Sequence, residues 1–570
     1  MRIVNGAKSK AQMNVRRLGH GRVSLLSKTV VVASVAAMLA GALFWGAVRT
    51  TTVSAAETLP MVPENNRSTR FARRPSRIQN VKNHKNGMLR DDLSAPDAVL
   101  AFGGSTKLQA GDGVAGDQFG GSVAISGTTA IVGAPANAAT GGGNGSAYVY
   151  VLTSGVWTLQ QKLTANDGAA DDAFGSNVSI SGDTVVVGAF GDMVGTNVNQ
   201  GSAYVFVRSG TTWTQQQKLV ATGGAANDVF GRTVAIAGDS VVVGASSADT
   251  MTNVDQGAAY VFLRTGTTWA QQARLTAGDG SALDYFGDSV AIAGDTVIVG
   301  ATEDTTGANT QQGSAYVFTR SGTTWSQQAK LSALDGTSFD YFGFSVSVDG
   351  DTAVIGTLQD VGPNFQQGSA YVFVRSGSTW TQQQKLVAGD GSTDDSFGSS
   401  VFVLGNTVMI GAPADTNGAN VRQGSAYVFT RTGAAWAQTQ KLLAPDGASG
   451  DEFGAGVAVT NNNAIVGSIS DTIGVNTFQG SAYIFSTDAS VSGRVTTPGG
   501  QNLRNAVVSI IDSNGVRRTA TTSSFGLYSF EGVRTGETYT ITVGSKRYRF
   551  SPRVLQVDGN LANIDFVGQE

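Results

Sequence analysis

From residue 119 onward, short apolar runs alternate with clusters of Gly, Asp, Ser and Asn. The runs are rich in Val, Ile, Tyr, Phe and Thr, which pack well on a pleated surface, and the clusters between them are turn-formers. The stretch "DDAFGSNVSISGDTVVVGA", beginning at Asp171, opens one such unit. It predicts a strand "SNVSI", a two-residue turn at Gly182-Asp183 and a strand "TVVVGA". A longer loop leads to a third strand, "GSAYVFV", then a turn at Ser209-Gly210 and a fourth strand, "WTQQQKL".

The unit occurs seven times. Its Phe-Gly pair begins at Phe119, Phe174, Phe230, Phe286, Phe342, Phe397 and Phe453, spaced 55 or 56 residues apart. Such a period belongs to a solenoid or a propeller. The first turn carries Gly127, Gly182, Gly238, Gly294, Gly350 or Gly405. A two-residue hairpin with Gly first needs positive φ there, which Gly adopts without steric cost. In the seventh copy Asn461 takes the place and is expected to adopt positive φ as well.

The ends of the array favour a propeller. The last copy stops at "GSAYIF" (480–485), without its fourth strand, whereas the array begins with an orphan "FGGSTKL" (102–108). Trp213 precedes Lys218 by five residues, Trp325 precedes Lys330 by five, and Phe102 precedes Lys107 by five. The N-terminal strand therefore matches the strand that the seventh copy lacks, and pairing the two would remove two exposed sheet edges. The expected fold is all-β: a seven-bladed β-propeller over 96–487, closed by an N-terminal strand. The repeats resemble the FG-GAP type, found in the propeller of integrin α subunits and in many bacterial surface proteins. The resemblance rests on the Phe-Gly pairs and on Gly133-Ala134-Pro135 and Gly411-Ala412-Pro413, with looser forms at Gly188-Ala189-Phe190 and Gly244-Ala245-Ser246. It implies a propeller used for adhesion or ligand binding.

Because strands alternate in direction, the two tight turns of each blade share one face. The long second-to-third loops and the links between blades share the other. Each link reads Asp-Gly, three residues, Asp, one residue, Phe-Gly. Its first Asp is Asp112, Asp167, Asp279, Asp335, Asp390 or Asp446, with Gly223 in the third copy. Its second is Asp117, Asp172, Asp228, Asp284, Asp340, Asp395 or Asp451, and the long loops add Asp192, Asp249, Asp304, Asp360, Asp415 and Asp471. Clustered carboxylates are ligands for a hard cation, and Ca²⁺ is the candidate, with Asp112, Asp117, Asp167, Asp172, Asp279, Asp284, Asp335, Asp340, Asp390, Asp395, Asp446 and Asp451 as its metal residues. The competing assignment is that Asp accepts backbone N–H bonds in Asx-turns and holds the Phe in place. Recurrence in every copy and the substitution by Gly223 favour the turn. The integrin pattern Asp-x-Asp-x-Asp-Gly-x-x-Asp is not intact anywhere, and the connection that carries it in that family is here a tight Gly-Asp turn. Integrin calcium sites are therefore not carried over. The series Trp157, Trp213, Trp269, Trp325, Trp380 and Trp436 occupies one fixed place in the fourth strand, as packing residues would.

Charge divides the chain. Residues 1–95 hold 16 Lys/Arg against 4 Asp/Glu, and residues 96–487 hold 14 against 31. A body this acidic repels phosphate backbones, which excludes nucleic acid as its partner. Basic residues precede the apolar run Val30–Val48, and "TTVSAAE" follows it, so residues 1–56 are expected to be an export signal. The rival reading is an uncleaved anchor that holds the protein to a membrane through residues 30–48. Both place the rest outside the cytoplasm, secreted or at the cell surface. Residues 57–95 are basic and unpatterned, as expected of a disordered linker. The absence of Cys excludes disulfides and thiolate metal sites.

Residues 488–570 change pattern, to "VSGRV", "NAVVSIID", "GLYSFEGV", "ETYTITV" and "KRYRFSPRVLQV", with turns at Pro498-Gly499-Gly500 and Asn514-Gly515. These predict a small β-sandwich. Gly493, Val495, Asn505-Ala506, Val508, Gly526-x-Tyr528-x-Phe530 and Tyr539-x-Ile541-x-Val543 resemble the carboxypeptidase regulatory-like domain, a transthyretin-like fold. The resemblance implies an accessory module without chemistry of its own.

Both His residues, His20 and His84, precede the repeats, so the usual acyl-transfer triads are excluded. Glu303 and Glu452 are the only Glu residues of the repeat region and the candidates for carboxylate-pair chemistry on a polysaccharide. The expected function is non-enzymatic binding or adhesion to an extracellular protein or polysaccharide through the acidic loop face. The alternatives are a polysaccharide-active enzyme and a purely structural envelope protein.

Overall fold

The computed structural model describes residues 101–136, 143–153, 155–250, 253–358, 366–557 and 559–570. The expected export segment, the basic linker and Asp360 lie outside the described residues. Among the described residues all regular structure is β: seven four-stranded sheets, consistent with a seven-bladed propeller, and a C-terminal β domain.

Blades one to six each use four consecutive strands. In blade two these are Val178–Ser181, Thr184–Ala189, Ser202–Ser209 and Thr212–Leu219, paired antiparallel. The second strand is buried along its whole length, which is why it reads as a continuous apolar run. The fourth strand keeps only Trp213 and Leu219 buried. The turn glycines have φ between 54° and 58° from Gly127 to Gly405, as expected. The second turn is Gly210-Thr211, one residue later than expected, because Ser209 still pairs with Thr212. Asn461 departs from expectation: it is not among the residues with positive φ. There the Thr460 hydroxyl accepts the amides of Asn462 and Asn463, and this side-chain bond makes the turn without a left-handed residue.

The seventh sheet joins both ends of the array. Phe453–Val459, Asn463–Ser468 and Ser481–Ser486 are completed by Gly103–Leu108. Lys107 lies opposite Tyr483 and Leu108 opposite Ala482, the register that Lys218 and Leu219 hold with Tyr204 and Ala203. Phe102 exchanges backbone hydrogen bonds of 2.9 and 2.5 Å with the Gln440 side chain, as Trp213 does with Gln161. The substitution is imperfect at one atom. Trp213, Trp269, Trp325, Trp380 and Trp436 each donate their ring N–H to a Gln of the preceding blade, three residues after that blade's own aromatic. Three residues after Phe102 stands Ser105, and Trp157 Nε1 is buried without a partner.

The Phe-Gly pair ties neighbouring blades together. The Phe174 amide donates to the Asn144 carbonyl of blade one at 3.0 Å, while its ring packs edge-on against Tyr204 and Phe206 of blade two. Gly175 has φ +93°, and a Cβ there would stand 2.1 Å from the Ser146 carbonyl oxygen of the preceding blade. Only glycine lets the two backbones come this close.

The C-terminal domain has a three-stranded sheet (527–534, 488–496, 566–567) and a four-stranded sheet (517–521, 507–511, 537–544, 553–557). Val491, Val508, Tyr528, Phe530 and Ile541 fill one core. It meets the repeats at their tight-turn end: the Thr535 amide donates to Thr487 O at 2.7 Å and the Thr535 hydroxyl to Ala101 O at 2.5 Å.

Two glycine substitutions separate close approach from turn strain. Gly175→Ala, with its clash against Ser146, is expected to lose at least about 3 kcal/mol of stability. Gly182→Ala, which has open space around its Cβ, should lose about 1 kcal/mol from positive φ alone. Denaturant unfolding of the two variants checks this; equal losses would mean that the interblade approach is relaxed in solution.

Candidate functional site

The links and long loops gather on one face, and the two Asp positions of each link do different work. The second Asp of every link is buried and turns back on its own loop. Asp117 accepts the Val114 amide at 2.8 Å, Asp172 that of Ala169 at 2.6 Å and Asp228 that of Ala225 at 2.8 Å. Asp284, Asp340, Asp395 and Asp451 repeat the contact with Ser281, Thr337, Ser392 and Ala448. This Asx-type bond shapes the loop that delivers the Phe.

The first Asp instead reaches the outer strand of the blade it leads into. Lys162 meets Asp112 at 2.6 Å, Lys218 meets Asp167 at 2.7 Å and Lys330 meets Asp279 at 2.7 Å. Lys385, Lys441 and Lys107 do the same with Asp335, Asp390 and Asp446. In four blades the ammonium also holds the long-loop Asp: Lys218–Asp192 at 2.6 Å, Lys330–Asp304 at 2.7 Å, Lys441–Asp415 at 2.8 Å and Lys107–Asp471 at 2.7 Å. A Tyr hydroxyl donates to the same carboxylates, as Tyr427 does to Asp390 and Asp415, both at 2.9 Å. The lysine lies over that Tyr ring, 5.2–5.3 Å from its centroid in these four blades. Blade three departs as a unit: Gly223 replaces the link Asp, Arg274 replaces the Lys, and Arg274 donates to the Asp249 backbone carbonyl instead.

These Lys and Tyr partners are the residues that sequence reasoning missed. Their signal was present in the invariant Tyr of "SAY" and the Lys of "KL", but nothing local to either says that they meet at a link about 50 residues away.

Environment splits the two Asp sets. Burial pushes Asp112, Asp167, Asp279, Asp335, Asp390 and Asp446 up, but bonds from Lys and Tyr outweigh it and hold these below the ordinary value of 3.8. For the second Asp of the links burial prevails over the backbone amide and raises Asp172, Asp228, Asp340 and Asp451, with Asp284 and Asp395 pushed up to about 6. Nearby carboxylates add to this, Asp304 for Asp284 and Asp415 for Asp395.

The donor sets fit Ca²⁺ poorly. The ion takes six to eight oxygens, whereas the clusters of blades two, four, six and seven each offer two side-chain carboxylates already held by an ammonium. Among the described residues no group of three or more His, Cys, Asp or Glu is placed to hold a metal ion. Glu452 is bound by Arg422 at 2.5 Å and by Ser470, and Glu303 accepts from Gln311 at 2.9 Å.

On the opposite face, Arg208, Arg264, Arg320 and Arg375 pair with the turn residues Asp183, Asp239, Asp295 and Asp351. Each lies over the Trp of its own blade and donates to a Thr or Ser of the preceding one. The Trp series therefore packs, as its fixed place suggested. Leu152 and Thr487 stand where this Arg would be in blades one and seven.

A family model described as FG-GAP repeat matches residues 103–150, 157–206, 213–262, 269–318, 325–373, 380–429 and 436–485. A second, described as carboxypeptidase regulatory-like domain, matches 490–567. No curated protein matches the chain.

The two Asp sets predict opposite pH effects. Asp284 and Asp395 bind protons more tightly folded than unfolded, so their contribution falls as pH rises from 3.8 to about 6. The Lys-paired Asp residues supply stability above 3.8 that is lost as pH falls below it. The thermal midpoint should therefore peak at about pH 4, where the two windows meet; a steady rise to pH 7 would contradict the burial of the second set. Midpoints measured with Ca²⁺ at about 1 mM, the range of extracellular calcium modules, and with a chelator are expected to coincide. A rise with Ca²⁺ would show that the ion displaces the lysines.

Proposed function

Since the chain belongs to the FG-GAP repeat family, we propose that it is an exported or cell-surface, non-enzymatic binding protein that engages an extracellular partner through its loop face. The combination of these repeats with a carboxypeptidase regulatory-like domain suggests an extracellular, adhesion-type role. One observation carries the choice of face. The chain enters the repeats at Ala101 and leaves them at Thr487, and both residues are bonded to Thr535 of the C-terminal domain at the tight-turn end. The entry point at Ala101 and the C-terminal domain thus share one end, and the link face is the opposite one.

The seven copies also differ in what they expose there. Framework positions such as Phe174, Gly175, Tyr204 and Leu219 recur almost unchanged, being buried between blades. The residue before the buried Asp varies, from Gly116 to Asp171, Asn227, Leu283 and Phe339, because packing does not hold it to one type. Solvent-facing differences between the copies of a repeat protein are what a partner can select on.

The chain has no Cys, so a single introduced thiol can be modified alone. Val475→Cys on the link face and Thr323→Cys on the turn face, each coupled to a bulky polyethylene-glycol maleimide, separate the two sides. Retention of the full chain on the producing cells' envelope is expected to drop at least about tenfold for the Val475 conjugate and to stay unchanged for the Thr323 conjugate. The reverse pattern would move binding to the turn face.

A further inference from the structure

The residue before the buried Asp of each link adopts a left-handed backbone, with φ from 66° to 87° where described. Five copies use residues suited to this: Gly116, Asp171, Asn227, Asp394 and Gly450. The fourth and fifth links carry Leu283 (φ 69°) and Phe339 (φ 70°), 51% and 53% exposed. Two residues on, also at positive φ, these links hold Tyr285 and Tyr341, where the other copies have Gln118, Ala173, Val229, Ser396 and Glu452. A bulky side chain costs about 1 kcal/mol in this conformation. At half exposure little packing offsets the cost. Val254 is 61% exposed and receives the Leu283 amide on its carbonyl at 3.0 Å, which sets the two chains side by side. Leu334, one residue before Asp335, is 85% exposed. Val198, Val421 and Val475 are also exposed in other long loops, but the fourth and fifth links alone put a bulky apolar residue at the left-handed position before the buried Asp.

Charge says what would cover it. Asp249 and Asp255 stand on the loop beside Leu283 and Tyr285, with the Asp255 amide bonded to the Asp249 carboxylate and the Tyr285 amide to Asp255 O. This is the blade whose Lys is replaced by Arg274, which turns to a backbone carbonyl, so neither carboxylate is in an ion pair among the described residues. Burial and then the adjacent Asp249 push the Asp255 carboxyl up, as expected of two acids without a cation between them.

We propose that the junctions between blades three and four and between blades four and five form a docking site for a basic, apolar-rich polypeptide segment. Its aliphatic or aromatic side chains cover Val254, Leu283, Leu334 and Phe339, and its Lys or Arg side chains reach Asp249 and Asp255. The inference rests on the loop face being the binding face, and it names the partner class and the place.

The test exchanges residues between copies. Leu283→Asn with Phe339→Asn installs the residue of the third link, and Tyr285→Ser with Tyr341→Ser that of the sixth. The probe is a synthetic peptide alternating Lys with Leu and Phe; an analogue with Glu for Lys and a neutral β-glucan oligosaccharide serve as controls. The wild-type full chain is expected to bind the Lys peptide at least about tenfold more tightly than the Glu analogue, and the Asn pair to weaken it at least about tenfold while the thermal midpoint holds or rises. Equal binding of the Lys peptide by wild type and both variants would overturn the proposal. A fallen midpoint in both variants would also do so, by making the side chains part of the fold. So would loss of glucan binding alone, which would assign the patch to a sugar. If the Val475 conjugate loses envelope retention and the Asn pair does not, this site falls and the loop-face reading stands; if neither loses it, both fall.

Discussion

Everything in the repeat array depends on how closely the backbone of one blade can lie against the next. At the junction of blades one and two the chain passes within contact distance of Ser146 O at Gly175, and Gly133 would meet Gly175 O at 2.0 Å if it carried a Cβ. The Phe beside the first of these glycines bonds through its amide to the preceding blade and packs its ring into its own. Glycine makes room and phenylalanine fills it. The same pair performs both tasks at all seven junctions, so the interface cannot loosen at one residue without displacing its neighbour.

Electrostatics is laid over this frame in two layers. On the link face a lysine joins the link to the outer strand of the next blade, and in four blades to its long loop as well. On the turn face an arginine joins a turn Asp, a Trp ring and a hydroxyl of the preceding blade. Most basic side chains of the repeats are thereby used internally. The buried Asp residues of the links accept loop amides, and the face stays acidic around a few apolar tips.

The N-terminal strand and the C-terminal domain meet at one place. Phe102 and Lys107 reproduce the aromatic and the cation of an outer strand, but Ser105 does not reproduce the Gln, and the ring N–H of Trp157 is left without a partner. Leu152 and Thr487 replace the arginine that elsewhere crosses between blades, and the Thr487 carbonyl is taken by Thr535. The seam of the array thus serves as the attachment point of the tail.

The number of blades, their strand order and the fit between the two ends were legible in the sequence. They depend on local rules: alternation for strands, Gly for a turn of positive φ, and a register counted from Trp or Phe to Lys. Asn461 shows where a local rule fails, since a neighbouring Thr460 hydroxyl supplied another turn. The Asp residues were recognised as one acidic face, but their division into turn-formers and lysine-bound carboxylates was not. In a repeat, every Asp has six Lys residues in equivalent places to choose from, and only the packing of one blade on the next selects Lys218 for Asp167. The same holds for Leu283 and Phe339, which read as ordinary apolar residues until the fold places them outside it.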